Sequence, residues 1–255
     1  MNKYKSMGFS LVELMIAMAI GLVVIASVLA FTMSSLNANT EYVQATRLTQ
    51  ELRNSMDVVS RDLRRTGYDE NSMSLLLKTI TVPSPFAPIF TADNLNSDGN
   101  TATDDCILYA YDRADGVPGT INLARGEIRG LRRATTTING VTVGVIEMAE
   151  SASGVTPSCT GTAVNYSTYP ARCTGNGWCA LSDPRQINIT AFNLTVTRTV
   201  PADTSNLQIR DIDISIQGTL PGQPDVIRGV QGNIKIRSDC IRTVIAQCNA
   251  APTGT

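Results

Sequence analysis

The sequence predicts an α+β fold in which one long N-terminal helix packs on an antiparallel β-sheet. Three observations predict it. An apolar run that begins near Leu11 continues into an amphipathic pattern with three- and four-residue spacing, and both patterns favour a helix. After Gly67 the spacing of the apolar residues changes to two, which is typical of strands. All six cysteines lie in this second part of the chain.

The composition excludes several classes of function. The 255 residues carry a formal charge of −1, so the chain lacks the basic footprint of a nucleic-acid-binding protein, and nucleic acid is not inferred as a partner. The sequence contains no histidine, which is the commonest general base and metal ligand. It also lacks the GxSxG, P-loop and HExxH motifs. We therefore expect neither an enzyme nor a bound cofactor or metal.

The first element is a membrane span. Leu14 to Met33 are twenty residues without a charge, enough for a helix to cross about 30 Å of hydrocarbon. Lys3 and Lys5 precede this run, which keeps the N-terminal end in the cytoplasm and sends the remainder outward. A secretory signal peptide has its small-residue cleavage site after the apolar stretch, whereas Gly8 comes before it. Cleavage at Gly8 would leave the span attached to the protein.

The segment Gly8-Phe9-Ser10-Leu11-Val12-Glu13-Leu14, followed by an apolar helix, resembles the N-terminus of type IV prepilins and type II secretion pseudopilins. In that family a membrane peptidase cuts after the glycine and methylates the new N-terminal residue. The resemblance implies cleavage between Gly8 and Phe9, methylation of Phe9, and an assembly role for Glu13. It also implies the prepilin peptidase/methyltransferase, the inner-membrane assembly platform and other pilins as partners, with a pilin-like fold.

Glu13 has two physical interpretations. A charged residue at the centre of a membrane helix costs roughly 2.5–3.5 kcal/mol, so a carboxylate there needs a partner. The new amine of Phe9 on a neighbouring subunit would be such a partner, and pairing would select the correct axial register. The alternative is that Glu13 lies near the cytoplasmic interface, where the cost is smaller and no partner is needed.

The second element is the amphipathic half of the same helix, residues 34–66. One helix from about Phe9 to Arg65 is the main expectation, and Gly67 lies in the usual place just past a C-terminus. The alternative is a separate helix after a flexible break near residues 34–40. The apolar residues that share one face at helical spacing are Ala45, Leu48, Leu52, Met56, Val59 and Leu63.

The remaining elements form an exported β-rich domain, residues 67–255. The pair Asn139-Gly140 is a strong hairpin signal between two strands. The residues from Ile187 to Val196 form a strand with a slip in phase. The other predicted strands are Leu75 to Val82, Cys106 to Asp112, the alternating run Ile212, Ile214 and Ile216, and the run Val230, Ile234 and Ile236.

The six cysteines predict disulfides formed in an oxidising compartment, with free buried thiols as the alternative. The sequence has no CxxC pair and no histidine to complete a zinc site. Six cysteines permit fifteen pairings. Proximity along the chain favours Cys240 with Cys248, Cys173 with Cys179, and therefore Cys106 with Cys159.

Two polar clusters are candidate ligand sites. Residues 94–105 match the spacing of a calcium loop, but with Asn94 first and Asp105 last, which weakens the site. We expect a solvated loop there. Arg129, Arg132 and Arg133 form a basic group that we expect to be a solvated strand edge.

Three further segments carry a narrower resemblance to minor pilins of the PilW type. They are Asp62-Leu-Arg-Arg-Thr-Gly-Tyr68, Asp105-Cys-Ile-Leu-Tyr-Ala-Tyr111, and Val226 to Arg237. This implies a minor pilin that acts with other minor pilins and the major pilin in priming or capping a type IV pilus. A J-type minor pseudopilin of type II secretion is the first alternative. A tip adhesin with binding loops at residues 83–104 and 151–185 is the second.

Overall fold

The computed structural model describes residues 10–71, 84–91, 101–113, 120–160, 162–168, 170–202, 207–241, 248 and 251–252. Of residues 101–104 it describes the backbone alone. The predicted strand Leu75 to Val82 therefore lies outside the described residues. The chain divides into two compact units, Met1–Thr46 and Arg47–Thr255, and the helix α1 (Leu11–Leu63) contributes residues to both.

The strands of the second unit form two antiparallel sheets, which confirms the predicted α+β class. The strands are β1 (Ile89–Thr91), β2 (Thr101–Asp104), β3 (Cys106–Ala110), β4 (Ile128–Ile138), β5 (Val141–Glu150), β6 (Trp178–Ala180), β7 (Asn188–Thr199), β8 (Leu207–Leu220), β9 (Gln223–Lys235) and β10 (Cys240–Ile241). Sheet 1 has the order β1-β3-β4-β5-β6; sheet 2 has the order β10-β8-β7-β2, and β9 pairs with β8. A short 3₁₀ helix, Leu123–Arg125, precedes β4.

The predicted hairpin is the connection between β4 and β5. Ile138 pairs with Val141, so the loop has two residues. Asn139 has φ 51° and Gly140 has φ 80°. Both residues of such a turn need positive φ to match the twist of the strands, and Asn-Gly satisfies this best. The register of the whole hairpin follows from this turn.

The predicted slip of phase in β7 is a β-bulge. The pairing of β7 with β8 shifts between Ile189 and Ala191. Before the shift Ile189 faces the core, and after it the buried residues are Phe192, Leu194 and Val196. The extra residue reverses which set of alternating side chains points inward.

The main core lies between the C-terminal part of α1 and both sheets. The helix contributes the predicted apolar face, of which all but the half-buried Ala45 are buried: Leu48, Leu52, Met56, Val59 and Leu63. Sheet 1 contributes Ile107, Leu131 and Ile146 to the same cluster. Sheet 2 contributes apolar residues of β7 and β8, namely Ile189, Phe192, Leu194, Val196, Ile212, Ile214 and Ile216. Each fully buried aliphatic side chain stabilises the fold by about 1.5–3 kcal/mol.

A second cluster covers the other face of sheet 1. Trp178 is fully buried there, and its Nε1 donates to the Ser158 carbonyl oxygen at 3.1 Å. Leu108 and Val145 belong to the same cluster, on the face opposite to the main core. Since both faces of the sheet are covered, every residue of β3 is buried. Part of the segment 151–185, the second binding loop of the adhesin alternative, packs as this cover. Val164, Tyr166 and Trp178 are buried in the cluster, and Cys159 and Ala171 pack against it.

Candidate assembly site

The residues predicted for processing and assembly lie at the start of the chain. Gly8 and Phe9 lie outside the described residues. Glu13 lies in the first turn of α1, and its side chain is exposed. The partial positive charge of a helix N-terminus favours a carboxylate there. Within the described part of the chain no cation pairs with it, so a partner would have to come from elsewhere.

The first unit exposes a continuous apolar surface on α1. Soluble proteins rarely expose apolar patches larger than a few hundred Å². Among the described residues α1 is the one helix long and apolar enough to cross a membrane. The large exposed apolar side chains there are Leu11, Val12, Leu14, Met15, Ile16, Met18, Ile20, Leu22, Val23, Val24, Ile25, Val28, Leu29, Phe31, Met33 and Leu36.

Two hydroxyl groups on this surface are satisfied within the helix. The Ser27 hydroxyl donates to the Val24 carbonyl oxygen at 2.7 Å, and the Thr32 hydroxyl donates to the Val28 carbonyl oxygen at 2.8 Å. Hydroxyl groups bonded in this way need no outside partner in hydrocarbon. Glu13 is then the one charged side chain of residues 10–40. The surface combines lipid-compatible area with a single carboxylate.

In the second unit, the end of α1 is fixed to sheet 1 by a buried carboxylate. Asp62 is 9% exposed and accepts hydrogen bonds from the hydroxyl groups of Tyr109 and Tyr111. The Tyr111 bond measures 3.0 Å. Tyr111 also lies beneath two cations, with the Arg65 and Arg129 guanidinium carbons 6.0 and 5.6 Å from its ring centre. Helix and strand are therefore joined by polar as well as apolar contacts.

Two segments that carry the narrower resemblance are partners in the structure. The Gly67 amide donates to the Ala110 carbonyl oxygen at 2.8 Å, and the Asp112 amide donates to the Tyr68 carbonyl oxygen at 2.9 Å. Together with the Asp62 hydrogen bonds, these join the segment 62–68 to the strand 105–111 and its continuation. The sequence alone does not predict that these two segments are in contact. The only sign of it is that both segments carry the same resemblance to minor pilins.

The environment of Asp62 changes the acidity of its tyrosine partners. Burial raises the pKa of Tyr109 well above its ordinary value of 10.0, and the neighbouring Asp62 charge raises it further. Burial also raises the pKa of Tyr111, and Asp62 adds to this effect, while Arg129 opposes it. Both phenols therefore stay protonated in the folded protein at pH values where exposed tyrosines ionise.

This predicts a pH dependence of stability that Tyr109→Phe will weaken. When folding raises the pKa of a tyrosine, the protonated phenol stabilises the folded state. This contribution is fully present below pH 10 and is lost as the pH rises towards the folded-state pKa. Tyr109 alone contributes a fall of up to about 1.4 kcal/mol per pH unit above 10. The variant lacks this contribution, so its stability deficit relative to the wild type is expected to shrink between pH 10 and 11.

The measurement is chemical unfolding of the full chain in detergent at pH 8, 10 and 11. The matched control is Tyr68→Phe, which removes the hydroxyl of a half-exposed tyrosine on the neighbouring turn. A Tyr109→Phe deficit that stays the same from pH 8 to pH 11, or that shrinks no more than the difference measured for Tyr68→Phe, would contradict the prediction.

The predicted solvated strand edge is wrong for two of its three arginines. Arg129 is 7% exposed and pairs with Glu150 at 2.9 Å; Arg132 is 4% exposed and pairs with the fully buried Glu147 at 2.7 Å. Arg133 is half-buried and donates from Nε to a main-chain oxygen of β7 at 3.0 Å. Covering segments on both faces of sheet 1 leave no solvated edge at these positions.

The hairpin register was the signal that could have found these pairs. With a two-residue turn at Asn139-Gly140, Arg132 lies directly opposite Glu147, and Arg129 lies directly opposite Glu150. Opposite charges at directly paired positions stabilise an antiparallel sheet. Counting back from the turn therefore predicts both ion pairs from the sequence alone.

The cysteines form three disulfides, in the pairing that proximity along the chain favours. These are Cys106–Cys159, Cys173–Cys179 and Cys240–Cys248. The first closes a loop with a sequence separation of 53, which corresponds to about 4 kcal/mol in the chain-entropy model. It attaches the covering segment to β3. Disulfides form and persist in oxidising environments.

The candidate calcium loop, residues 94–105, lies only partly within the described residues. Residues 94–100 lie outside the described residues, and Thr101–Asp104 is the strand β2, paired with β7. Asp105 follows it directly. In the described part of the chain no group of three or more Cys, Asp or Glu side chains could hold a metal ion.

Comparisons with known families match both parts of the chain. The model of the prepilin peptidase-dependent protein B family matches residues 41–236, most of the chain. The model of the prokaryotic N-terminal methylation motif matches residues 6–29, which include Gly8, Phe9 and Glu13. No curated protein and no solved structure matches the chain. The predicted membership in the prepilin class is confirmed.

Proposed function

The chain belongs to the prepilin peptidase-dependent protein B family, and we propose that it is a minor pilin that takes part in the initiation, assembly or tip structure of a type IV pilus. It is a processed pilin-type protein, and its apolar N-terminal helix fits a membrane-anchored precursor. The proposed partners are other minor pilins, the major pilin, the prepilin peptidase/methyltransferase and the assembly platform of the inner membrane.

The proposal assigns a role to each segment. Residues 1–8 are the leader that the peptidase removes, and residues 9–33 are the transmembrane and assembly half of the helix. Residues 34–66 are its amphipathic half, and residues 67–255 are the exported domain, located first in the periplasm and then on the pilus. The three disulfides support export, because they persist in oxidising compartments.

One observation carries the proposal: the methylation motif coincides with an exposed apolar helix surface that bears a single carboxylate. Lipid can cover the apolar side chains in the precursor. In a fibre, the same surface would pack against the helices of other subunits, and Glu13 would then need a cation. A secreted soluble domain would have no use for this combination.

Mass spectrometry of the protein from sheared pili tests the proposal. The expected N-terminus is Phe9 carrying one added methyl group, with the three disulfides intact. A Gly8→Asp variant, which places a charged side chain at the scissile position, is expected to remain at Met1 in the membrane fraction. A native protein that begins at Met1 would contradict the proposal. A methylated protein that is absent from pili and required for protein secretion would favour the pseudopilin alternative instead.

A further inference from the structure

A cavity of about 480 Å³ lies in the second unit, where α1 ends against sheet 1. Four arginines line it, and they come from three separate parts of the chain: Arg64 and Arg65 at the helix end, Arg113 after β3, and Arg237 after β9. Among the described residues of its lining, Asp112 is the one acidic residue. The cavity is therefore strongly cationic.

The charges of this cavity are only partly compensated. Arg113 donates to Glu150 at 2.8 Å and to the Arg125 carbonyl oxygen at 2.7 Å. Asp112, 7% exposed, accepts from the Glu70 amide at 3.2 Å. For the other three arginines, no carboxylate of the described residues lies within ion-pair distance. Three exposed guanidinium groups thus face the cavity with donors to spare.

The backbone holds these arginines together. Gly67 has φ 75°, and a Cβ at this position would lie 2.9 Å from the Ser238 Cβ. A glycine is therefore needed for the helix end to approach the segment after β9 this closely. Arg210 secures the same segment, with its Nη2 donating to the Ser238 carbonyl oxygen at 2.6 Å. The convergence of Arg64 and Arg65 with Arg237 follows from this close packing.

The helix dipole explains only part of the cluster. Cations near a helix C-terminus are favourable, which accounts for Arg64 and Arg65. It does not account for Arg113 and Arg237, which two other segments bring to the same cavity. The aromatic walls, Tyr111 and the half-exposed Tyr68, complete a lining rich in arginine and tyrosine. These residue types are enriched at the energetic centres of protein–protein interfaces.

We propose that this cavity, the arginine pocket, binds an acidic segment of a neighbouring pilin-type subunit. The proposal rests on the function proposed above and identifies one contact surface for it. A guanidinium group donates two parallel hydrogen bonds to a carboxylate, so Arg64, Arg65 and Arg237 can receive Asp or Glu side chains from the partner. Tyr68, a half-exposed residue of the lining, would pack beside them. An anionic lipid headgroup is the competing ligand, but polybasic lipid sites also use lysine, and none of the described residues that line this pocket is a lysine.

Site-specific photo-crosslinking in cells tests this contact. A photo-reactive benzoylphenylalanine replaces Tyr68 in the full chain, and the crosslinked product is identified by mass spectrometry. The expected product joins position 68 to a peptide of another pilin-type subunit that contains Asp or Glu. Arg237→Glu is expected to lower the crosslink yield by about tenfold or more, the effect of losing an interface hot spot. Arg228→Glu, an exposed arginine of β9 outside the pocket, is expected to leave it unchanged.

The possible results separate this inference from the proposed function. Crosslinks to phospholipid alone, no crosslink at all, or a yield that Arg237→Glu does not change would overturn the arginine pocket as a subunit contact. If the wild-type chain in those cells still begins with methylated Phe9 and enters pili, the proposed function survives. A wild-type chain that begins at Met1 would contradict both the proposed function and the arginine pocket as a subunit contact. If Arg237→Glu loses its disulfides or its cooperative unfolding, Arg64→Glu on the helix end replaces it.

Discussion

Glu13→Gln is expected to leave the chain in the inner membrane and to remove it from sheared pili. The substitution keeps the size of the side chain and removes its charge. Insertion should be unaffected, because removing a charge from an apolar helix lowers the cost of placing it in hydrocarbon. Cleavage after Gly8 should also continue. The expected change is a loss of at least about tenfold in the amount of the protein found in pili.

The physical reason is the cost of an unpaired charge. The proposed cleavage after Gly8 would create a positive amine at Phe9, and in the assembled fibre this amine would lie in surroundings as apolar as the exposed surface of α1. Breaking a buried ion pair by removing one partner costs about 3–5 kcal/mol, because the other charge is left uncompensated. The carboxylate of Glu13 on one subunit is the partner that we propose for the amine of the next.

The matched control is Glu41→Gln. Glu41 lies on the same helix with an exposed side chain, but after the apolar run. Quantitative mass spectrometry of sheared pili and of membranes, with the N-terminus read in both, gives the ratio for each variant. Equal incorporation of Glu13→Gln and the wild type would show that the carboxylate serves only the cytoplasmic interface, the alternative left open by the sequence.

Local patterns in the sequence were sufficient for the elements that depend on local geometry. The face of α1 from Leu48 to Leu63 could be predicted because a helix repeats every 3.6 residues, whatever it packs against. The hairpin at Asn139-Gly140 could be predicted because few residue pairs accept positive φ at both positions. In both cases the information lies within a few residues of the structure that it specifies.

The division of the strands into two sheets could not be predicted in the same way. Sheet 1 and sheet 2 both supply residues to the main core, and alternating apolar residues look alike in either. The face of sheet 1 opposite to the main core is covered by the segment 151–180, whose composition resembles a surface loop. Trp178 and Cys106 are nevertheless buried on this face, so the segment packs as part of the core. Pairing at long range determines these features.

The candidate site likewise has a part that local sequence predicts and a part that depends on contacts between distant segments. Gly8, Phe9 and Glu13 form a short linear motif, so the sequence alone singles them out. Asp62 gains its role from Tyr109, which lies forty-seven residues further along the chain. The arginine pocket needs three segments to converge, and no window of the sequence contains it. Motifs read by enzymes are local in the chain, whereas surfaces that subunits contact are assembled by the fold.

Removing the ion pair between Arg132 and Glu147, which lies against the Trp178 ring, is expected to have the largest effect on stability. Glu147 is fully buried; one of its oxygens accepts from Arg132, and the other accepts from the Val164 amide at 2.7 Å. Arg132 also donates to the carbonyl oxygens of Cys159 and Thr162, at 3.2 and 3.0 Å. Arg132 and Glu147, both on sheet 1, thus hold the main chain of residues 159–164 against the sheet.

Glu147→Ala is expected to lower the free energy of unfolding by about 3–5 kcal/mol, because it leaves the Arg132 guanidinium buried without a counter-charge. The matched control is Glu150→Ala, three residues further along β5. Glu150 also pairs with arginines, one of them the buried Arg129, but 46% of its own side chain is exposed, so water can reach the place that it vacates and the expected loss is smaller than that of Glu147→Ala.

Trp178 provides the measurement. It is the one tryptophan of the sequence, and the Arg132 guanidinium carbon lies 4.1 Å from its ring centre. Its fluorescence therefore reports unfolding of the region where the pair lies, in the full chain in detergent with disulfides intact. The double variant of Arg132→Met with Glu147→Ala should lose less stability than the two single variants together, since it leaves neither charge buried alone. Equal losses for Glu147→Ala and Glu150→Ala would mean that water reaches the pair, and that the segment 151–180 does not seal this face of the sheet.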